Sequence, residues 1–107
     1  MKRYGQVIKV RPEKFEEYVK LHAETWAGVL KMIRECNIRN YSIFHKDGFL
    51  FAYFEYIGDD FDGDMKKMAA DETTQKWWAV CIPCQVPLET RKPGEWWSDM
   101  QEVFHTD

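Results

Sequence analysis

Apolar and polar residues alternate along "YGQVIKV", placing Tyr4, Gln6, Ile8 and Val10 on one side of a predicted strand. Pro12 suits the first turn of a helix, where a missing N–H costs nothing. From Glu13 to about Arg34 the repeat becomes helical, through Phe15, Tyr18/Val19, His22, Trp26, Val29/Leu30 and Ile33. Glu16, Glu17, Lys20, Glu24, Lys31 and Glu35 lie mostly away from that stripe, and Asn37 is a helix stop. "IRNYSIFH" and "FLFAYFEYI" then read as two strands joined at Asp47-Gly48, a hairpin signal because such turns need positive φ. "GDDFDGD" leads into a second helical region, "MKKMAA" followed by "DETTQKWWAVC", with a break at Asp71 and an end set by Pro83 and Pro87. After the loop "PLETRKPGE", "WWSDMQEVFH" supplies a last strand from Asp99 or Met100.

The order β-α-β-β-α-β predicts an α+β, ferredoxin-like fold: an antiparallel sheet with helices on one face, in one domain spanning residues 1–107. The third predicted strand is apolar on both sides. Phe49, Phe51 and Tyr53 lie on one, and Leu50, Ala52, Phe54 and Tyr56 on the other. A solvated sheet face does not look like this, so a second copy packing sheet to sheet, a homodimer, is expected.

Composition narrows the classes of function. The chain has 107 residues, 45% hydrophobic and 16% aromatic, which argues against disorder. Its net charge of −3 without a Lys/Arg block argues against nucleic acid or an anionic membrane as partner. "MKRYGQVIKV" has no apolar signal-peptide run and no stretch approaches a membrane span, so a cytoplasmic location is expected. Three cysteines, an odd count, fit a reducing compartment better than a disulfide framework.

Cys81-Ile82-Pro83-Cys84 has the spacing of a redox C-x-x-C. Redox pairs sit at a helix N-terminus, where the dipole lowers the thiol pKa. Here the preceding residues are helical and the prolines follow, so these thiols fall near a helix C-terminus and read as small packing residues. Cys36 and three scattered histidines add no second ligand pair at zinc spacing. "DDFDGDM" fails the calcium-loop template, because position six from Asp60 is Met65 and position twelve is Asp71. Its acids are explained by helix capping.

His22 stands one turn after Tyr18 and one turn before Trp26 on the apolar stripe. Taken alone, it reads as a core histidine satisfied by one hydrogen bond. Its neighbours argue for a lined cavity, in which an imidazole with a pKa of about 6.5 both gives and takes a proton near neutrality. Trp77 and Trp78 point about 100° apart on a helix. They read either as core packing or as a platform for the C–H face of a sugar ring. Trp96-Trp97 lines the same space or the dimer seam, and Tyr41 either reaches into a cavity between helix and sheet or is an ordinary strand aromatic.

Together these residues resemble the L-rhamnose mutarotase family along nearly the whole chain. "EEYVKLHAETWAGVL" is similar to that family's first-helix signature, "NYSIF" to its second strand, "FAYFEY" to its third, "TTQKWW" to its Trp pair and "MQEVFH" to its closing strand. The resemblance implies a homodimer of ferredoxin-like subunits that interconverts α and β anomers of a free sugar, without cofactor or metal. It implies His22 as proton donor and Tyr18, Tyr41, Trp77 and Trp78 as sugar-binding residues, and it assigns no role to Cys81 and Cys84. Two features depart from the family pattern: Ala27 where some members have Pro, and a longer loop "PLETRKPGEWW". The alternatives are a small dimeric monooxygenase on the same plan and a non-catalytic sugar-sensing dimer.

Overall fold

A computed structural model describes residues 1–107. Strand β1 (Lys2–Val10) is followed by a 3₁₀ turn (Pro12–Lys14), then helices α1 (Phe15–Ala23) and α2 (Ala27–Glu35). Strands β2 (Ile38–Lys46) and β3 (Phe49–Tyr56) come next, then helices α3 (Phe61–Ala70) and α4 (Glu72–Cys81). A 3₁₀ turn (Ile82–Cys84) and the short strands β4 (Gln85–Val86) and β5 (Ser98–Met100) complete the chain.

The sheet is antiparallel in the order β2-β3-β1, with β4 and β5 both on the free edge of β1. β4 pairs with Lys9 and Val10, and β5 with Gly5 to Val7. This is the expected ferredoxin-like order, with the fourth strand cut in two by the loop that follows Val86. Asp47 (φ 52°) and Gly48 (φ 82°) form the expected tight turn between β2 and β3. Asn37 ends the first helical stretch at φ 66°.

The register sorts the side chains. Tyr4, Gln6 and Ile8 of β1 stand beside Phe54, Ala52 and Leu50 of β3. Ile43 joins Ala52 from β2. This face meets the helices, and Ile8, Val10, Tyr18, Val29, Leu50, Trp77, Cys81 and Cys84 form its main buried cluster. The other face carries Gly5, Val7, Phe49, Phe51 and Tyr53, with Phe44 opposite Phe51. Phe44 is 66% exposed, and Phe51 and Met100 are also open to solvent.

Three expectations are corrected. The first helical stretch is two helices, not one: Trp26 is extended (φ −61°, ψ 137°) and is the N-cap residue just before α2. Thr25 Oγ1 donates to the His22 carbonyl at 2.9 Å, the acceptor a continuing helix would pair with the amide of residue 26. Of the paired stripe positions, Tyr18 and Val29 are buried while their neighbours Val19 and Leu30, a helical step of about 100° away, are exposed. The second helical region starts at Phe61, ahead of "MKKMAA", because Asp60 caps it by accepting from the Gly63 amide at 3.0 Å. The last strand ends at Met100, and Gln101 to Asp107 carry no regular structure, with Val103 and Phe104 exposed. The break at Asp71 falls where the sequence places it: this residue caps α4, accepting from the amide and hydroxyl of Thr74 at 2.9 and 2.8 Å.

No helix is long and apolar enough to cross a membrane.

Candidate active site

A cavity of about 460 Å³ opens between the inner face of the sheet and the helices. Tyr18, His22, Tyr41, Trp77 and Trp78 all line it, so the five residues singled out in the sequence meet in one place. α1 carries Tyr18 and His22 one turn apart, and their rings lie 4.1 Å centre to centre. Trp77 stands edge-on to His22 at 5.2 Å, and Trp26 edge-on to Trp77 at 5.2 Å. α4 turns the Trp pair as the helical step requires. Trp77 is 6% exposed and packed in the core, and Trp78 is 37% exposed at the margin of the cavity. Tyr41 comes from β2, beside the register shift between Arg39 and Ser42, with its ring 5.5 Å from Phe54.

The chemistry of His22 follows from its two nitrogens. Nδ1 lies 2.8 Å from the Tyr18 carbonyl oxygen, which can only accept. Nδ1 therefore carries the proton, and in the neutral ring Nε2 is the free lone pair. Burial lowers the pKa of the ring below its ordinary value, outweighing the hydrogen bond to Tyr18 that raises it. At neutral pH His22 is mainly an uncharged base.

The two tyrosines are shifted the other way. Burial holds the Tyr18 phenol well above its ordinary range, and burial of the hydroxyl end pushes Tyr41 up to about 12, although that residue as a whole is 42% exposed. Both are neutral hydroxyls fit to donate or accept hydrogen bonds, and neither is a base. The remaining wall is largely apolar, with Val29, Ile33, Ile43 and Phe54 among its residues.

Gln6, Thr74, Gln85 and Trp96-Trp97 also line the cavity. Gln6 had a legible signal, a polar residue in the inward register of β1. The lone Gln85 after the C-x-P-C had none. Trp96 and Trp97 sit in the long loop after β4, and the Trp96 indole reaches Gln85 Oε1 at 2.7 Å.

Cys81 ends α4 and Cys84 ends the following 3₁₀ turn. Both are buried. Burial pushes the Cys81 thiol up to about 12, and burial with the neighbouring Glu17 raises that of Cys84. A redox nucleophile needs the opposite shift.

Fold and cavity together define an α+β protein with a helix-covered antiparallel sheet and an aromatic site built around one neutral histidine. The sequence model of L-rhamnose mutarotase matches residues 3–106, and the chain belongs to the L-rhamnose mutarotase family, a family of isomerases. It is 35% identical to the L-rhamnose mutarotase of Lactiplantibacillus plantarum and 31% identical to that of Bacillus subtilis, each alignment covering 100% of both chains. In three dimensions it is similar to an L-rhamnose mutarotase from Formosa agariphila, with a TM-score of 0.78, 21% identity and 100% of both chains covered. It also shares its fold with the tetracenomycin F2 cyclase of Streptomyces glaucescens, at a TM-score of 0.72 and 17% identity, over 99% of this chain and 96% of the other.

Proposed function

We propose that the protein interconverts the α and β anomers of L-rhamnose or a related deoxy sugar, with His22 moving the proton. The observation that carries this reading is the neutral imidazole of His22, its Nδ1 tied to the Tyr18 carbonyl, in a cavity of a size suited to a small ligand.

Mutarotation opens the hemiacetal and recloses it on the other face of C1. On opening, His22 Nε2 takes the proton from the anomeric hydroxyl. A C1=O bond forms, the bond from C1 to the ring oxygen breaks, and the ring oxygen keeps the electron pair. The imidazolium then gives its proton to that oxygen. Both oxygens are bonded to C1, so one nitrogen serves both transfers and the enzyme ends unchanged. A half-turn about the C1–C2 bond presents the other carbonyl face, and closure runs the same steps in reverse. His22 is thus first a base and then the proton donor that the family resemblance implies. Positioned acid/base catalysis of this kind contributes about 10²–10⁴-fold.

Tyr18 and Tyr41 orient the sugar hydroxyls. Trp77 and Trp78 provide the apolar wall against C–H faces, and the aromatic lining suits the C6 methyl of a deoxy sugar. The uncovered apolar face of the sheet, with Phe44, Phe51 and Met100 exposed, supports a homodimer packed sheet to sheet in the manner of dimeric α/β barrels. Three free cysteines fit a cytoplasmic location.

The test is NMR saturation transfer between the α and β anomeric protons of L-rhamnose, with and without enzyme, beside L-fucose and the His22→Ala variant. The expected result is faster exchange with the wild type that is lost in the variant. Unchanged exchange with every sugar would reject the assignment, and activity retained in His22→Ala would reject the role of His22.

A further inference from the structure

A chain of three side chains fixes which way the Tyr18 hydroxyl points. Trp96 Nε1 lies 2.7 Å from Gln85 Oε1, and Gln85 Nε2 lies 3.2 Å from Tyr18 Oη. An indole N–H can only donate, so the Gln85 atom facing it must be the carbonyl oxygen. The opposite orientation would set two donors against each other in a buried place, since Gln85 is only 5% exposed. The amide nitrogen therefore faces Tyr18, whose oxygen must accept. The phenol has no acceptor of its own in the protein, and all three residues line the cavity.

We infer that Gln85, held in one orientation by Trp96, is a positioning residue that makes Tyr18 a hydrogen-bond donor to the sugar oxygen on which charge develops during ring opening. This rests on the mutarotase reading and adds a direction to it. The ring oxygen gains negative charge as its bond to C1 breaks, so a donor aimed there strengthens its bond in the transition state. A tyrosine free to rotate spends part of its time as an acceptor, which gives no such help. The inference also assigns work to the long loop after β4, because that loop supplies Trp96. Glu95 braces the same stretch, accepting from the amides of Lys92 at 2.9 Å and Asp99 at 3.3 Å.

The test compares kcat and KM for L-rhamnose anomer exchange in four proteins beside the wild type. Gln85→Glu keeps an acceptor for Trp96 and replaces the donor facing Tyr18 with an acceptor, so Tyr18 turns its proton away from the sugar. Trp96→Phe frees the amide to present either end. Tyr18→Phe removes the hydroxyl, and the double variant combines Tyr18→Phe with Gln85→Glu. The expected result is a fall in kcat on the order of tenfold or more for Gln85→Glu, with KM little changed. Trp96→Phe should fall less. Adding Gln85→Glu to Tyr18→Phe should cost nothing further, because the two act through one bond. A Gln85→Glu protein with wild-type kcat, or losses that multiply in the double variant, would overturn the inference while leaving the mutarotase reading standing. Should Gln85→Glu fail to fold, wild-type kcat in Trp96→Phe overturns it equally. A wild type that accelerates no exchange would instead sink the mutarotase reading itself.

Discussion

At His22 burial and a backbone hydrogen bond pull proton affinity in opposite directions, and burial wins. Two consequences can be measured. The rate of anomer exchange should fall on the acid side with an inflection below the ordinary imidazole value, because the free base is the working form. A pH–rate profile showing an inflection above about 6.5 would contradict this. Folding stability should follow the same sign. The unfolded chain takes up the proton first, so the contribution of His22 is full above the unfolded pKa and is lost as pH falls toward the folded one. His22→Ala should lower the rate by about 10²–10⁴-fold and leave the circular dichroism spectrum unchanged. Tyr18 and His22 were legible as candidates because helical spacing brings i and i+4 together, and the Trp pair because two adjacent large aromatics on a helix point to different surfaces. Gln85 was not, because its role comes from a contact with Trp96, eleven residues away across a loop.

At the level of elements, capping decides where the site residues stand. α4 carries Trp77, Trp78 and Cys81, and its first turn depends on Asp71. Asp71→Ala removes the acceptor for both the amide and the buried hydroxyl of Thr74. We expect a loss of about 1–2 kcal/mol in urea denaturation, with some loss of sugar affinity as Trp77 shifts. An unchanged midpoint would show that packing alone holds α4. The sequence showed capping acids in "DDFDGDM" and a break at Asp71, and the structure makes Asp71 a cap as well. It did not show the split between α1 and α2. Periodicity ran on through Trp26, whereas the Thr25 hydroxyl takes the His22 carbonyl and frees the backbone to turn. Hydrophobic spacing records which residues face inward, and it is blind to such local competition for a carbonyl.

For the whole molecule, the second face of the sheet is the feature that asks for a partner. Phe44, Phe51 and Met100 are exposed there, and Val103 and Phe104 of the C-terminal segment are exposed as well. Arg3 Nε holds Glu102 at 3.0 Å, tying that segment to β1. In the proposed dimer these residues meet a second copy. Phe44→Glu should then shift the protein from dimer to monomer in sedimentation velocity, because a charge buried in an apolar interface without a partner is costly. A variant that sediments as the wild type does would place Phe44 outside the interface. The two-sided apolar pattern of β3 carried this expectation, since the period of two sends alternate residues to opposite faces.

The sequence by itself determined the β-α-β-β-α-β order at the level of whole segments, the Asp47-Gly48 turn and the residue types available for proton transfer. These follow from local spacing, from backbone preference and from the chemistry of each side chain. Only the tertiary structure decided that Tyr41 of β2, the Trp pair of α4 and Trp96 of the last loop converge on His22. The same is true of the burial that lowers the pKa of that histidine and of the bond in which Tyr18 accepts from Gln85. Burial and hydrogen-bond direction depend on what long-range packing brings alongside a group, and no local pattern contains that information.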